Sequence, residues 1–430
     1  SRFADIKLGK GCVTCKDTPG FIANRIGIYW IQCGLLEAFR LGLTVEEADM
    51  VMSAPMGIPK TGIFGLLDLV GIDLMPHIMK SMKYSLPDND AFHQVDQIPE
   101  LVNKMIADGY TGRKGKGGFY RLNKSGGKRV KESIDLSSGE YQASVKPKLD
   151  SMAASKKEGL KGLFSFDDKT GEYAWQVMSK TLAYSASLVP EISDDIASID
   201  KAMRLGFNWK LGPFELLDRI GFDWFTDKLQ QEGRPVPALL ESGMPMYKMD
   251  GGRPTMLDLT GSYQTIESEE GAIFLSHFKA RHPAVLENPS ASLWDIGDGI
   301  ACLEFHTKMN TLDMDVMQLI HQAIDKVAGD FSALVIYNDG EHFSAGANLG
   351  LLMAAIHEEN WNAVENLLLK GQQTYKALKY SPFPVVGAPF GLALGGGCEI
   401  LLHCDAIQAH SELYVGLVET GVGIVPGWGG

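Results

Sequence analysis

Apolar side chains recur at helical spacing through Phe21, Ile22, Ile26, Ile28, Tyr29, Ile31, Leu35 and Leu36, which predicts a helix with one buried face. Just ahead, Asp17-Thr18-Pro19-Gly20 supplies a capping-type residue followed by proline, a helix-start signal. Residues 18–52 therefore read as helix-rich, and residues 45–82 as further helices joined by turns bearing glycine and proline. The pattern changes near Ser292, where Ile300-Ala301-Cys302-Leu303-Glu304-Phe305 alternates as a strand does. A helix over 312–328, a strand over Ala333–Tyr337, a helix over 353–379, a strand over 383–388 and a helix over 396–404 follow. Alternating strands and helices imply an α/β unit.

The helix-rich part contains a repeat. Gly62-Ile63-Phe64-Gly65-Leu66-Leu67-Asp68-Leu69-Val70-Gly71-Ile72-Asp73 returns as Gly212-Pro213-Phe214-Glu215-Leu216-Leu217-Asp218-Arg219-Ile220-Gly221-Phe222-Asp223, with seven of twelve positions identical. Upstream, Asp49 aligns with Asp200, one residue out of register. Two copies make a tandem pair of helical modules rather than a solenoid, which needs about three or more. Between them, Gly117–Leu122 and Lys128–Lys131 flank Asn123-Lys124-Ser125-Gly126-Gly127 and read as a hairpin. The Lys-rich stretch 146–161 reads as a solvated face or linker. Residues 232–290 are rich in proline, glycine and methionine without a sustained period, and read as a long connector.

Composition narrows the class. With 430 residues the chain is long enough for about three domains. Its 45% apolar and 22% charged residues are ordinary globular proportions. A net charge of −13 argues against broad binding to nucleic acid or anionic membrane, while leaving room for a local basic pocket. The longest apolar stretch, Phe383–Gly397, is cut by Pro384, Pro389 and glycines, unlike a bilayer span. Six cysteines in such a length are no disulfide framework, and a reducing cytoplasm is the simplest setting. A first residue Ser1 and the final Pro426-Gly427-Trp428-Gly429-Gly430 suggest a piece of something longer.

Candidate chemistry concentrates in Gly391-Leu392-Ala393-Leu394-Gly395-Gly396-Gly397-Cys398-Glu399. Consecutive glycines before an apolar helix let backbone N–H groups approach a ligand and stabilise a developing oxyanion; the alternative is a tight strand-to-helix turn. Phe343-Ser344-Ala345-Gly346-Ala347-Asn348-Leu349 offers further backbone donors at a strand's end. Two such loops can each give one N–H to a thioester carbonyl. Glu399 and Glu419 add two carboxylates that can divide acid and base roles if they converge; either alone could be a solvated surface group. Cys12-Val13-Thr14-Cys15 lacks a second pair, and His403 and His410 lack a third ligand, so no metal site is expected. The methionines of Met244–Met256 read as packing.

Residues 292–430 resemble the first two-thirds of the crotonase (enoyl-CoA hydratase) superfamily, through Phe343–Leu349, Gly391–Glu399 and Glu419 to Gly430. The resemblance implies a ββα-spiral α/β domain, incomplete here at its C-terminal end, with domain bounds 291–430. It assigns the backbone N–H groups of Ala347 and Gly396 to an oxyanion hole. It places Glu399 and Glu419 at the two glutamate positions that activate water and exchange the proton at C2. Asn348 replaces a more usual Asp, Val418 a frequent Pro, and Trp428 interrupts the closing glycine run.

The first part resembles the helical C-terminal domain of 3-hydroxyacyl-CoA dehydrogenase, through Asp17–Arg25, Gly109–Tyr120 and Gly212–Asp223. The expected layout is multidomain: an all-α module at 1–125, hairpin and linker at 126–170, a second module at 171–235, a connector at 236–290, then the crotonase domain. Asn24 matches the family's active-site asparagine, which orients the substrate and the catalytic histidine; the alternative is a local hydrogen bond within the helices. The family uses NAD, but no Gly-x-Gly-x-x-Gly follows a strand here, and Gly115-Lys116-Gly117-Gly118 opens no helix. Together the resemblances imply a fragment of a bifunctional fatty-acid β-oxidation enzyme acting on acyl-CoA in the cytoplasm. They also imply a homo-oligomer or a complex with a thiolase, and no nucleic acid, membrane span or metal. A non-catalytic assembly or CoA-binding fragment and a crotonase-type isomerase or thioester hydrolase are the alternatives.

Overall fold

A computed structural model of the chain describes residues 1–123, 129–267 and 271–430. It divides into two units: residues 1–248 with 254–266, and residues 249–253 with 267–430.

The first unit carries α1 (Ala23–Leu41), α2 (Val45–Val51), α3 (Phe64–Val70), α4 (Met75–Ser85) and α5 (Glu100–Ala107), then strands β1 (Tyr120–Asn123), β2 (Val130–Ile134) and β3 (Tyr141–Ala143). Next come α6 (Asp150–Phe164), α7 (Lys169–Ser187), α8 (Ile196–Phe207), α9 (Pro213–Ile220) and α10 (Phe222–Gln231). α1 starts at Ala23, after a turn in which Phe21 has a φ of 50°. It ends at Gly42 in the left-handed conformation, a common helix stop. Its buried face, with Ile26, Trp30 and Ile31, packs on α7, and Trp30 meets Trp209 edge-on at 5.3 Å. The expected hairpin is present in its arms, with Tyr120 opposite Ser133 in an antiparallel pair. Its expected turn at Lys124–Gly127 lies outside the described residues, as does Lys128. The Lys-rich stretch is not a linker but most of α6. That helix is interrupted at Gly159, yet it buries Leu160, Leu163 and Phe164, which the lysines on its outer face masked in the sequence.

The repeat is a hydrogen-bonding device. Asp49, at the end of α2, accepts the N–H groups of Phe64 at 2.7 Å and Gly65 at 3.0 Å, the otherwise unpaired donors at the start of α3. Asp200 does the same for Phe214 at 2.9 Å and Glu215 at 3.0 Å at the start of α9. Each carboxylate also accepts a tyrosine hydroxyl, Tyr120 at 2.9 Å and Tyr247 at 2.7 Å. The second repeated aspartate, at the far end of the helix, takes two strand N–H groups: Asp68 from Phe119 and Tyr120, Asp218 from Met246 and Tyr247. A β-carbon at Gly62 or Gly212 would lie 2.5 Å or 2.3 Å from the α-carbon of its aspartate, so both positions must be glycine.

The same bonds extend the repeat beyond what the sequence showed. Residues 236–290, expected as a connector, contain β4 (Tyr247–Asp250), β5 (Arg253–Leu257) and β6 (Tyr263–Thr265), a three-stranded sheet in the order of β1–β2–β3. The N–H of Leu257 donates to the carbonyl of Met246 as that of Ile134 donates to Phe119. The strands are too short and too Met- and Pro-bearing to show an alternating pattern.

The second unit begins with α11 (Leu275–Lys279) and holds a six-stranded sheet. Its strands are β7 (Leu286–Glu287), β8 (Ala291–Asp295), β9 (Ile300–Phe305), β10 (Ala333–Ile336), β11 (Val385–Gly387) and β13 (Ala406–Ile407). β9, β10, β11 and β13 are parallel, and β7 and β8 add antiparallel to the β9 edge. α12 (Met314–Asp330) buries Val316, Leu319, Ile320, Ala323 and Val327. The helix expected over 353–379 is two, α13 (Leu349–His357) and α14 (Trp361–Lys379). Glu359 takes a φ of 53°, and the Asn360 side chain caps α14 by accepting from Ala363 N–H at 3.1 Å. A second parallel pair, β12 (Leu392–Leu394) with β14 (Tyr414–Gly416), carries α15 (Gly396–Leu401) between its strands. No helix among the described residues is long and apolar enough to cross a membrane.

Burial pushes the carboxyls of Asp49 and Asp200 up to about 7, against the donors that pull them down. An unfolded Asp releases its proton near pH ~4. Between there and about 7 the folded chain binds more protons at these sites, so their contribution to stability falls as pH rises. Denaturant titrations across that window should show this slope, flattened in Asp49→Ala and Asp200→Ala. Both variants should also unfold at lower denaturant, because each strands one buried donor at about 1–3 kcal/mol and two partly buried ones at less.

Candidate active site

The glycine-bearing loop after β12 and the loop after β10 are sewn together by backbone bonds. Ser344 N–H donates to Leu392 O at 3.0 Å, and Leu394 N–H returns to Ser344 O at 3.0 Å. On the other side, Leu312 N–H donates to Gly346 O and Leu312 O accepts from Asn348 N–H, each at 2.9 Å. Pairing on both flanks of Ala347 leaves its own N–H without an acceptor among the described residues, and the N–H of Gly396 at the start of α15 likewise has none. Gly346, with a φ of +93°, permits the approach: a β-carbon there would be 2.6 Å from Leu394 O and 3.3 Å from Gly396 N. The Tyr375 hydroxyl donates to Gly396 O at 2.8 Å and fixes that residue from α14.

The β12–β14 pairing delivers the second carboxylate. Leu394 pairs with Gly416, so the turn at Glu419–Val422 falls beside the start of α15. A β-carbon on Gly395 would lie 3.0 Å from Glu419 Oε1. Glu419 is buried, and its Oε2 has no hydrogen-bond partner among the described residues. Glu399 is 2% exposed, and its Oε1 accepts the N–H groups of Trp428 at 2.7 Å and Gly430 at 3.0 Å. Ala347, Gly396, Glu399 and Glu419 line one pocket of about 120 Å³, otherwise walled by apolar side chains such as Leu352, Leu368, Val422 and Ile424. All four residues that the sequence nominated here are brought together.

Sequence reasoning missed two supports. Trp428, read as an interruption of the glycine run, is the anchor of its loop. Its indole meets Tyr375 edge-on at 5.6 Å and sits where a β-carbon on Gly371 would be 2.1 Å from its Nε1. Tyr375 gave no signal beyond the apolar spacing of α14, where it is fully buried.

Asn24 lies in the other unit. It is exposed in the first turn of α1, and its side chain makes no hydrogen bond among the described residues, so the expected local bond is not there. Its neighbour Arg25 is fully buried against Asp90, Tyr184, Glu191 and the Pro19 carbonyl, which fixes the helix start that presents Asn24. The residues present do not fit NAD: Gly115–Gly118 leads into strand β1, so no helix N-terminus stands behind it to meet a pyrophosphate. Among the described residues no group of three or more His, Cys, Asp or Glu could hold a metal ion.

One unit thus carries a pocket with two open N–H groups and two buried carboxylates, and the other is mainly helical. The family profile for the 3-hydroxyacyl-CoA dehydrogenase C-terminal domain matches residues 20–122 and 175–248, and that for enoyl-CoA hydratase/isomerase matches residues 295–430. The first match thus falls on the helical part of the chain and the second on the α/β part. A Bacillus subtilis protein described as "Probable 3-hydroxyacyl-CoA dehydrogenase" is 39% identical over 436 residues, covering 100% of this chain and 55% of that one. A Rickettsia felis protein described as "Putative fatty acid oxidation complex trifunctional enzyme" is 39% identical over 432 residues, covering 100% of this chain and 56% of that one. The chain thus spans about half the length of the curated relatives it matches. Among solved structures, an enoyl-CoA hydratase from Bacillus anthracis is 26% identical, with a TM-score of 0.30, over 32% of this chain and 54% of that one.

Gly371→Ala should displace Trp428 and destabilise the second unit by about 1–3 kcal/mol, the usual range for overpacking. Chemical denaturation followed by tryptophan emission checks it; an unchanged midpoint means the loop is anchored elsewhere.

Proposed function

We propose that the second unit hydrates trans-2-enoyl-CoA and that the first belongs to the machinery oxidising the resulting 3-hydroxyacyl-CoA. The intact protein is then a fatty-acid β-oxidation enzyme working in the cytoplasm on acyl-CoA esters, as a homo-oligomer or with a thiolase. The observation that carries the reading is two acceptor-free N–H groups and two buried carboxylates on one apolar pocket. The N–H groups of Ala347 and Gly396 would receive the thioester oxygen, whose charge grows as the enolate forms. Glu399 and Glu419 would activate the water that attacks C3 and deliver the proton to C2. The free Oε2 of Glu419 leaves one oxygen available to water or substrate, while Glu399 is held by backbone donors. NAD supplies hydride acceptance in the dehydrogenase step and is not assigned to these residues. Asn24, whose side chain makes no hydrogen bond among the described residues, would help orient the 3-hydroxyacyl group.

Glu399→Gln and Glu419→Gln should each lower crotonyl-CoA hydration by about 10²–10⁴-fold with folding intact. The double variant should be far less than multiplicatively worse, because the two groups act as one unit. Hydration at normal rate in Glu419→Gln removes the two-carboxylate mechanism, and a chain that isomerises 3-enoyl-CoA but does not hydrate crotonyl-CoA supports isomerase chemistry instead.

Asn24→Ala, placed in a longer chain that carries a dinucleotide-binding domain, should lower dehydrogenase turnover and leave hydration unchanged. Equal loss of both activities assigns Asn24 to folding.

A further inference from the structure

The first helical module holds a cleft of about 740 Å³ that the proposed chemistry does not use. Lys60, Arg113, Lys116, Arg121 and Lys131 line it, five cations in a chain whose net charge is −13. Arg121 is paired with Glu132 at 2.7 Å, and Lys116 donates to the Asp108 carbonyl at 2.8 Å. Lys60, Arg113 and Lys131 form no ion pair among the described residues, although Lys131 lies 4.0 Å over the Tyr120 ring.

The two acidic residues on the cleft wall, Asp49 and Asp68, answer this charge only in part, through the pull of Arg113 and Lys131 on the Asp68 carboxyl. Their oxygens are occupied by backbone N–H groups and the Tyr120 hydroxyl. Burial also pushes them up to about 7 and about 6, which thins their negative charge. The second module is an internal control. Counting from the shared bonds, Phe119 corresponds to Met246 and Ile134 to Leu257. Residues 235–246, which lead to Met246 as the loop with Arg113 and Lys116 leads to Phe119, carry no lysine or arginine, and Lys131 falls at Pro254, while Lys60 and Arg121 keep a lysine at Lys210 and Lys248. Asp218 makes the same two bonds as Asp68 without any of those three cations. The scaffold therefore folds without Arg113, Lys116 and Lys131, and their presence in one copy calls for another reason.

We propose that this cleft binds a phosphate-bearing ligand, held by Lys60, Arg113 and Lys131 with Lys116 and Arg121 at its margins. Several cations in a small volume suit a compact group of two or more negative charges, and an arginine fork matches phosphate oxygens. The bearing loop is fixed: Arg113 N–H donates to Asp68 O and Gly112 N–H to Gly117 O, each at 2.8 Å. The assignment does not rest on the hydratase reading, since every lining residue lies in the first unit.

Calorimetric titration of the chain with inorganic diphosphate tests it. One saturable site is expected, weakening as salt rises. The substitutions Arg113→Leu, Lys116→Gly and Lys131→Gln together should weaken it at least about tenfold. Lys248→Gln, in the second module, should leave it unchanged. Absence of saturable binding below about 1 mM, or equal affinity in the triple variant, overturns the proposal. Should the triple variant melt early, Lys131→Gln alone, at an exposed strand position, carries the same test. Competition separates the sources of the group: displacement by coenzyme A but not inorganic phosphate identifies the acyl carrier, and displacement by inorganic phosphate identifies a free anion.

Discussion

Buried backbone groups must find hydrogen-bond partners, and both units are organised around that requirement. In the helical modules the partner is a carboxylate. Asp49 and Asp200 each collect two helix-start donors and a tyrosine hydroxyl, joining a helix, the preceding helix and a strand at one point. Placing a charge in the core is costly unless it is hydrogen-bonded. Here the donors come from two elements and the carboxylate from a third, so the carboxylate specifies how the three meet.

In the second unit the same requirement is left open, among the described residues, at two N–H groups of the candidate site. Strand pairing and the bridge through Leu312 use the groups on either side of Ala347 but not its own N–H, and the start of α15 leaves Gly396 in the same condition. A helix start always has spare donors. These two are held in register by two loops, with Gly346 allowing the approach and the Tyr375 hydroxyl bonded to Gly396 O. Preorganised donors of this kind cost no rearrangement when charge develops.

The duplication shows how one scaffold diverges. Both copies keep the aspartates, the tyrosine and the three-stranded sheet, which are the parts that the hydrogen bonds need. The positions around the first copy's cleft are free to differ, and there the copies do differ in charge: residues 235–246 hold no counterpart of the Arg113 and Lys116 cations, and Lys131 falls at Pro254.

The sequence by itself determined the helical character of the first part, the aspartate-bearing repeat, the α/β character of the second part, and the two glycine-bearing loops with Glu399 and Glu419, while Ala347 and Gly396 were singled out within those loops by the resemblance to the crotonase superfamily. Those features rest on local spacing: apolar periodicity, glycine runs and identical segments are visible along the chain. Tertiary structure alone decided what depends on residues far apart. The convergence of Glu419 on Glu399 follows from the parallel β12–β14 pair, and Trp428 becomes an anchor only because Gly371 leaves room for it on α14. The second three-stranded sheet was hidden for the same reason, since its strands of three to five residues carry no period long enough to read and are recognised by the bonds they make to Asp218 and Asp200.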